Sequence, residues 1–149
     1  MYKVNKLIDK KLINDLAVFF NKKWKVPVEA YVDSMNDSLE SNTGVPAWYY
    51  VMDNNEIIAG LGVIENDFHK RLDLTPNICA VYVKEEYQGK GICRKMFDFV
   101  CEDLKNHNIS DVYLITTHTK FYEHLDFNYY GDIEENDGGM VRCYHKKLK

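Results

Sequence analysis

At 149 residues, with 46% hydrophobic and 28% charged positions, the chain reads as one soluble domain, 1–149, large enough to bury its own core. A formal charge of −4 argues against general nucleic-acid binding, which needs Lys and Arg to neutralise phosphates, and suits a neutral or cationic small substrate. No apolar run approaches the ~20 residues that span a bilayer, and Met1 to Lys11 is too studded with Lys and Asp for a signal peptide.

In chain order, Val4 to Lys23 is predicted as a helix, with Leu7, Ile8, Leu12, Leu16, Phe19 and Phe20 recurring at three and four. Pro27 blocks its continuation. A second helix is expected over Val28 to Leu39, followed by a loop marked by Gly44 and Pro46. Trp48 to Met52 and Ile57 to Ile64 read as strands of a hairpin turning at Asp53-Asn54-Asn55. Gly60 and Gly62 inside the second strand signal a bulge or a close neighbour. A polar connection, Asn66 to Leu74, leads to Pro76 and to a β-favouring run from Ile78 to Val83.

That run opens the most informative stretch, ICAVYVKEEYQGKGICRK, from Ile78 to Lys95. After the strand comes a glycine-rich turn, Gly89-Lys90-Gly91, and then a helix to about His107. Ile92, Met96, Val100 and Leu104, with Cys93, Phe97 and Cys101 one position on, give that helix one core-facing stripe. A glycine turn opening a helix leaves several N–H groups without intrahelical partners, and the helix dipole adds roughly half a positive charge there. Such an end suits a phosphate, and Lys90 and Arg94 add attraction. Further on, Val112 to Thr116 is a strand and Lys120 to Leu125 a short helical segment. Tyr129 to Ile133 and Met140 to Tyr144 form a last hairpin through Asp137-Gly138-Gly139. The expected class is α/β on a mixed sheet.

Several chemistries lack their signatures. Cys79, Cys93, Cys101 and Cys143 form no C-x-x-C, and three of them lie in the central strand and helix, where they read as small core residues, reduced in a cytosolic setting. The five histidines show no H-x-x-x-H pair, so no metal site is expected. No G-x-S-x-G elbow occurs for a serine nucleophile. The glycine turn is neither G-x-x-x-x-G-K-[ST] nor G-x-G-x-x-G, since Arg94 stands where the third glycine belongs.

Gln88 to Cys93 instead resembles the acetyl-CoA pyrophosphate loop of the GNAT N-acetyltransferase superfamily, Q/R-x-x-G-x-G/A. Gln88 and Gly91 fill two of its fixed positions, and Cys93 departs from the third. About thirty residues later, Phe121-Tyr122-Glu123-His124-Leu125-Asp126-Phe127 resembles the family's F-Y-E-x-x-G-F, with Asp126 in the place of glycine. Asp tolerates a left-handed backbone better than most residues, so the turn can survive. Glu65 to His69 and Leu74 to Val83 also resemble a bacterial subgroup of small members.

The resemblance implies a GNAT fold, a mixed central sheet with helices on both faces, splayed at its central strands for acetyl-CoA. It implies direct acetyl transfer from acetyl-CoA, as cosubstrate and without a metal, to a primary amine of a small molecule. The alternatives are a protein or peptide N-acetyltransferase and a catalytically silent acyl-CoA-binding domain. A cytoplasmic enzyme without nucleic-acid or membrane partners is implied, and homodimers are common among relatives. Residue by residue, Ala80, Val81, Tyr82 and Val83 would line the pantetheine arm, with the Val81 N–H at the thioester carbonyl. Gln88, Gly89, Lys90, Gly91, Ile92, Cys93 and Arg94 would hold the pyrophosphate, with Thr117 and Tyr122 also beside the cofactor. Tyr122 corresponds to the general acid, or packs its ring on the cofactor. Glu65 is the favoured base, with Asp67, His69 and His118 as further candidates. Trp24, Tyr31, Trp48 and Tyr49 would line the acceptor pocket or serve the core.

Overall fold

The first departure from the sequence reading comes at the start of the chain. In the structure, a computed structural model that describes residues 2–149, Val4–Lys6 is a strand, β1, and not the first turn of a helix. Its partners are supplied from far away, as Val4 pairs with Val51 and Lys6 with Tyr49. The Asp9 side chain then accepts the Lys11 N–H at 2.9 Å and opens a 3₁₀ turn, Lys10–Leu12. Only then does helix α1 run, Ile13–Trp24, burying Leu16, Ala17, Phe19 and Phe20. It stops at Lys25, left-handed at φ 62°, whose N–H returns to the Asn21 carbonyl. Pro27 directly precedes α2, Val28–Glu40.

The remaining elements are β2 (Ala47–Asp53), β3 (Glu56–Ile64), β4 (Asn77–Val83), α3 (Ile92–Asn106), β5 (Asp111–Thr116), β6 (Asn128–Glu134) and β7 (Met140–Lys147). They form one seven-stranded sheet in the order β1-β2-β3-β4-β5-β7-β6. Every neighbouring pair is antiparallel except β4 and β5. The β2–β3 hairpin turns through Asn54 and Asn55, both at positive φ, the backbone that favours Asn in tight hairpins.

Strand alternation in β2 sends neighbouring aromatics to opposite faces. Trp48 lies under α1 and α2, its ring 5.2 Å from Phe20 and 5.6 Å from Tyr31. Tyr49 faces α3 and donates its hydroxyl to Asp103 at 2.7 Å. Two cores result. One joins α3 to Tyr49, Val51, Leu61 and Val63. The other joins α1 and α2 to Trp48 and Cys79. The glycines of β3 make this second core possible. A Cβ on Gly62 would sit 2.4 Å from the Trp48 ring, and one on Gly60 would sit 2.8 Å from Phe20.

The sheet is interrupted in its middle. β4 and β5 run parallel and pair only at Asn77↔Tyr113, where the Tyr113 N–H reaches the Pro76 carbonyl at 2.9 Å. The other ladder of β4 carries a bulge. Its register steps from Gly60↔Tyr82 to Gly62↔Cys79, so Ala80 and Val81 stand opposite Leu61 alone. Ala80 is left-handed there, at φ 56°, a conformation that costs a non-glycine residue about 1–2 kcal/mol.

Candidate active site

Beyond Asn77 the two central strands part, and a cavity of about 820 Å³ opens between them. Its floor is Ile78, Cys79, Ala80 and Val81 of β4 with Leu114, Ile115 and Thr116 of β5. Thr117, His118 and Tyr122 close one side. Trp24, Tyr31 and Trp48 form an aromatic wall under the first two helices, with Phe68 arriving from the β3–β4 connection. Two carboxylates and one ammonium complete it: Asp67, Glu135 and Lys23. Lys23 lies over the Trp24 and Tyr82 rings, at 5.4 and 5.3 Å.

The glycine loop sits where β4 leads into α3. Gly89 and Gly91 take φ of 77° and 80°, and a Cβ on either would meet open space, so the requirement for glycine is conformational. Gly91 caps α3 without a side chain, and the first main-chain bond into the helix is Lys95 N–H to the Gly91 carbonyl. The N–H groups of Ile92, Cys93 and Arg94 therefore precede the helical ladder, at the positive end of a fifteen-residue helix with no acidic residue in its first turn. This is a cradle suited to a diphosphate. Gln88 is turned inward, donating Nε2 to the Val83 carbonyl at 2.9 Å. Arg94 is engaged by the His124 carbonyl and, at 3.8 Å, by the Asp126 carboxylate.

Tyr122 joins this loop to the cavity. It is buried at the start of a 3₁₀ turn, Tyr122–Leu125, with its ring 5.7 Å from Phe97 of α3 and 4.9 Å from Phe121. Burial holds its phenol well above the ordinary value, with Cys93 adding to the shift, so it stays protonated across the physiological range. Burial also pushes the Cys93 thiol up to about 11, which shows how poorly this corner solvates a thiolate. Asp126 ends the turn left-handed, at φ 69°, in the position the sequence motif reserves for glycine.

The other expected residues separate into groups. Ala80, Val81, Thr117 and His118 line the cavity with Tyr122. Ile92 and Val83 belong to the core, so only their backbones are available to a ligand. Tyr82 lies tilted against Phe19, ring centres 5.3 Å apart, on the α1 face. Trp24, Tyr31 and Trp48 reach the cavity wall, whereas Tyr49 is committed to Asp103 on the opposite face. Glu65 is exposed just past β3; its main-chain carbonyl receives Thr75 Oγ1 at 2.7 Å and Asn77 Nδ2 at 3.1 Å, and its side chain is not among those lining the cavity.

His69 is enclosed, at 1% exposure, and serves the backbone. Its Nδ1 accepts the Arg71 N–H at 3.2 Å, so the hydrogen lies on Nε2, which donates to Asn77 Oδ1 at 2.7 Å. Asn77 passes the chain on by donating Nδ2 to the Leu74 and Glu65 carbonyls. Asn66 clasps the His69 backbone at both ends, through Oδ1 to its N–H and Nδ2 to its carbonyl. This lock fixes the loop that carries Asp67. Sequence reasoning missed Glu135, which reaches the same cavity from the β6–β7 turn. Its only local signal is a charge in a polar turn, and its position depends on the bridge His69↔Glu135 and on the Asn136 N–H to Phe68 carbonyl bond of 2.9 Å.

Comparisons with known proteins agree with this geometry. Residues 46–129 match the family model of the acetyltransferase (GNAT) domain. No curated protein matches the chain in sequence. Among solved structures, an acetyltransferase of the GNAT family from Streptococcus pneumoniae shares the fold with a TM-score of 0.75 at 14% identity, over 100% of both chains. The protein yncA of Salmonella typhimurium, solved with its cofactor acetyl-CoA, does so at 0.75 and 10% identity, over 100% of this chain and 95% of that one. An aminoglycoside 6'-N-acetyltransferase complexed with coenzyme A gives 0.75 at 12% identity, over 99% and 97%. At these identities the likeness is one of fold.

Proposed function

We propose that this chain, which belongs to the GNAT acetyltransferase family and acts with acetyl-CoA, delivers the acetyl group to a primary amine of a small molecule. The observation that carries the reading is the parting of β4 from β5 beside a glycine-capped helix. The split offers a channel for an extended thiol arm, and the amides of Ile92, Cys93 and Arg94 offer the diphosphate site at its end. Within the channel the bulged Ala80–Val81 segment departs from regular pairing. A main-chain N–H there, that of Val81, would meet the negative charge developing on the acetyl oxygen.

Tyr122 supplies the acid. A phenol held protonated beside a corner that raises thiol pKa is placed to hand its proton to a departing thiolate. The cavity, of about 820 Å³, is of the size that suits a small-molecule ligand. That an aminoglycoside acetyltransferase shares the fold supports a small-molecule acceptor in kind, without naming one.

The test is a panel of small amines and amine-bearing peptides with acetyl-CoA, monitored by thiol release. Turnover of small amines with a higher kcat/KM than peptides is expected. Binding of acetyl-CoA by calorimetry with no turnover on any amine would reduce the protein to an acyl-CoA-binding domain.

A further inference from the structure

Acetyl transfer to an amine needs a group that removes a proton from an ammonium ion, and the cavity offers a specific one. We infer that Asp67 is that proton acceptor and that the substrate is a cationic alkylamine with an apolar or aromatic body, its ammonium drawn to the end of the cavity shared by Asp67 and Glu135. This rests on the acetyltransferase reading above and deepens it.

Four observations carry it. Asp67 lines the same cavity as Val81 and Tyr122, whereas the Glu65 side chain does not. No hydrogen bond or ion pair among the described residues engages the Asp67 carboxylate, so its lone pairs remain available to a ligand. The His69–Asn77–Asn66 lock holds its loop with every donor matched, which positions Asp67 rigidly; His69 is a positioning residue. Finally, Glu135 faces it from the β6–β7 turn, and two like charges in one cavity favour a bound cation. The aromatic rings of Trp24, Tyr31 and Phe68 would receive the apolar body.

The groups facing Asp67 give its proton affinity. Burial raises it first, a positive charge on His69 would lower it, and Glu135 raises it, with the result pushed up to about 6. Tyr31 and Cys79, also near, remain protonated and neutral at neutral pH. Lys23 and His118 line the same cavity. A base of this strength is ionised at pH 7 and still able to accept a proton. In the balanced step, R–NH3+ gives one proton to Asp67, and the freed nitrogen pair forms a bond to the acetyl carbon. The carbon–sulfur bond breaks, and Tyr122 protonates the departing sulfur. The tyrosine then recovers the second nitrogen proton, and Asp67 releases its own to solvent.

Two measurements test this on the full chain. With 2-phenylethylamine as acceptor, kcat/KM of the parent should rise through an acid limb near pH 6. Asp67→Asn should lower kcat by about 100-fold or more with acetyl-CoA affinity unchanged, and should abolish the limb. Glu135→Gln should raise the amine KM several-fold and move the limb to lower pH, because a negative neighbour is gone. Independently of turnover, tryptophan fluorescence should report 2-phenylethylamine binding in preference to neutral 2-phenylethanol, with the preference lost in Asp67→Asn. The reverse ranking, with Glu65→Gln carrying the loss while Asp67→Asn keeps the parent rate, overturns the assignment. Equal binding of amine and alcohol overturns the substrate class. If no amine turns over while the binding preference holds, the transferase reading fails and the cation site stands.

Discussion

Arg94 and Asp126 face each other across the junction of α3 and the Tyr122 turn, with 3.8 Å between guanidinium and carboxylate. Asp126 stands where the turn motif carries glycine, Arg94 directly follows the glycine loop, and the two meet in space. The same arginine reaches the His124 carbonyl, so the first turn of α3 is tied to the segment bearing Tyr122. The left-handed Asp126 is the joint of that tie.

Replacing Asp126 should therefore separate backbone from charge. Asp126→Gly relieves a positive φ, worth up to about 1 kcal/mol, and loses an exposed ion pair worth about as little. Stability should change by less than ~1 kcal/mol. Asp126→Ala keeps the strain and loses the pair, and should be the less stable of the two in urea denaturation. Equal midpoints for the Gly and Ala variants would show that the turn carries no strain.

Gly91→Ala tests the cradle. Open space surrounds the missing Cβ, so the penalty is the φ of 80° alone, about 1–2 kcal/mol. Relaxing that strain would turn the Ile92 and Cys93 amides away. Losing one hydrogen bond to a charged phosphate should raise the acetyl-CoA KM by roughly tenfold or more, with kcat at saturation much less affected. An unchanged KM would move the diphosphate elsewhere.

Much of this was readable in the residues. Apolar spacing placed α3, the Asn54–Asn55 turn placed the first hairpin, and Gly89 with Gly91 placed the glycine turn that opens α3. Gly60 and Gly62 announced the close approach of Phe20 and Trp48, and β3 with β4 does shift register there. β1 was not legible, because Val4 and Leu7 keep a helical spacing and an edge strand exists only through its partner, here Tyr49–Val51. Tyr49 could have been placed by strict alternation with Trp48, which puts the two on opposite faces. The meeting of Asp67 with Glu135 depends on two loops 68 positions apart in the sequence, joined by the His69↔Glu135 bridge and by main-chain bonds from Lys70 to Glu134 and from Asn136 to Phe68, which no local pattern encodes.

Tyr122→Phe isolates the proposed acid. The ring contacts with Phe97 and Phe121 survive the loss of one oxygen, so folding and acetyl-CoA binding should hold. Turnover should fall by about 100-fold, and the deficit should shrink for acyl donors whose leaving thiol is more acidic and needs no proton. Parent-like rates in the phenylalanine variant would leave the ring with a packing role only.

Asp67 predicts an opposition between stability and activity. Its carboxyl titrates near 3.8 in the unfolded chain and about 6 in the fold, so between those values the folded state binds the extra proton. Stability is then greatest below pH ~4 on this group's account and falls as pH rises through the window from about 4 to 6. Two units correspond to roughly 3 kcal/mol at most, a cost present in full at pH 7. Asp67→Asn removes the charge and keeps the shape, so it should be more stable than the parent at pH 7.5 and little different at pH 4. Urea unfolding of both proteins at the two pH values reads this, because titrating groups remote from Asp67 cancel in the difference and only its neighbours Glu135 and His69 share the change. A difference that does not grow with pH would mean that the Asp67 carboxylate is well solvated, and a solvated carboxylate would be too weak a base for the amine.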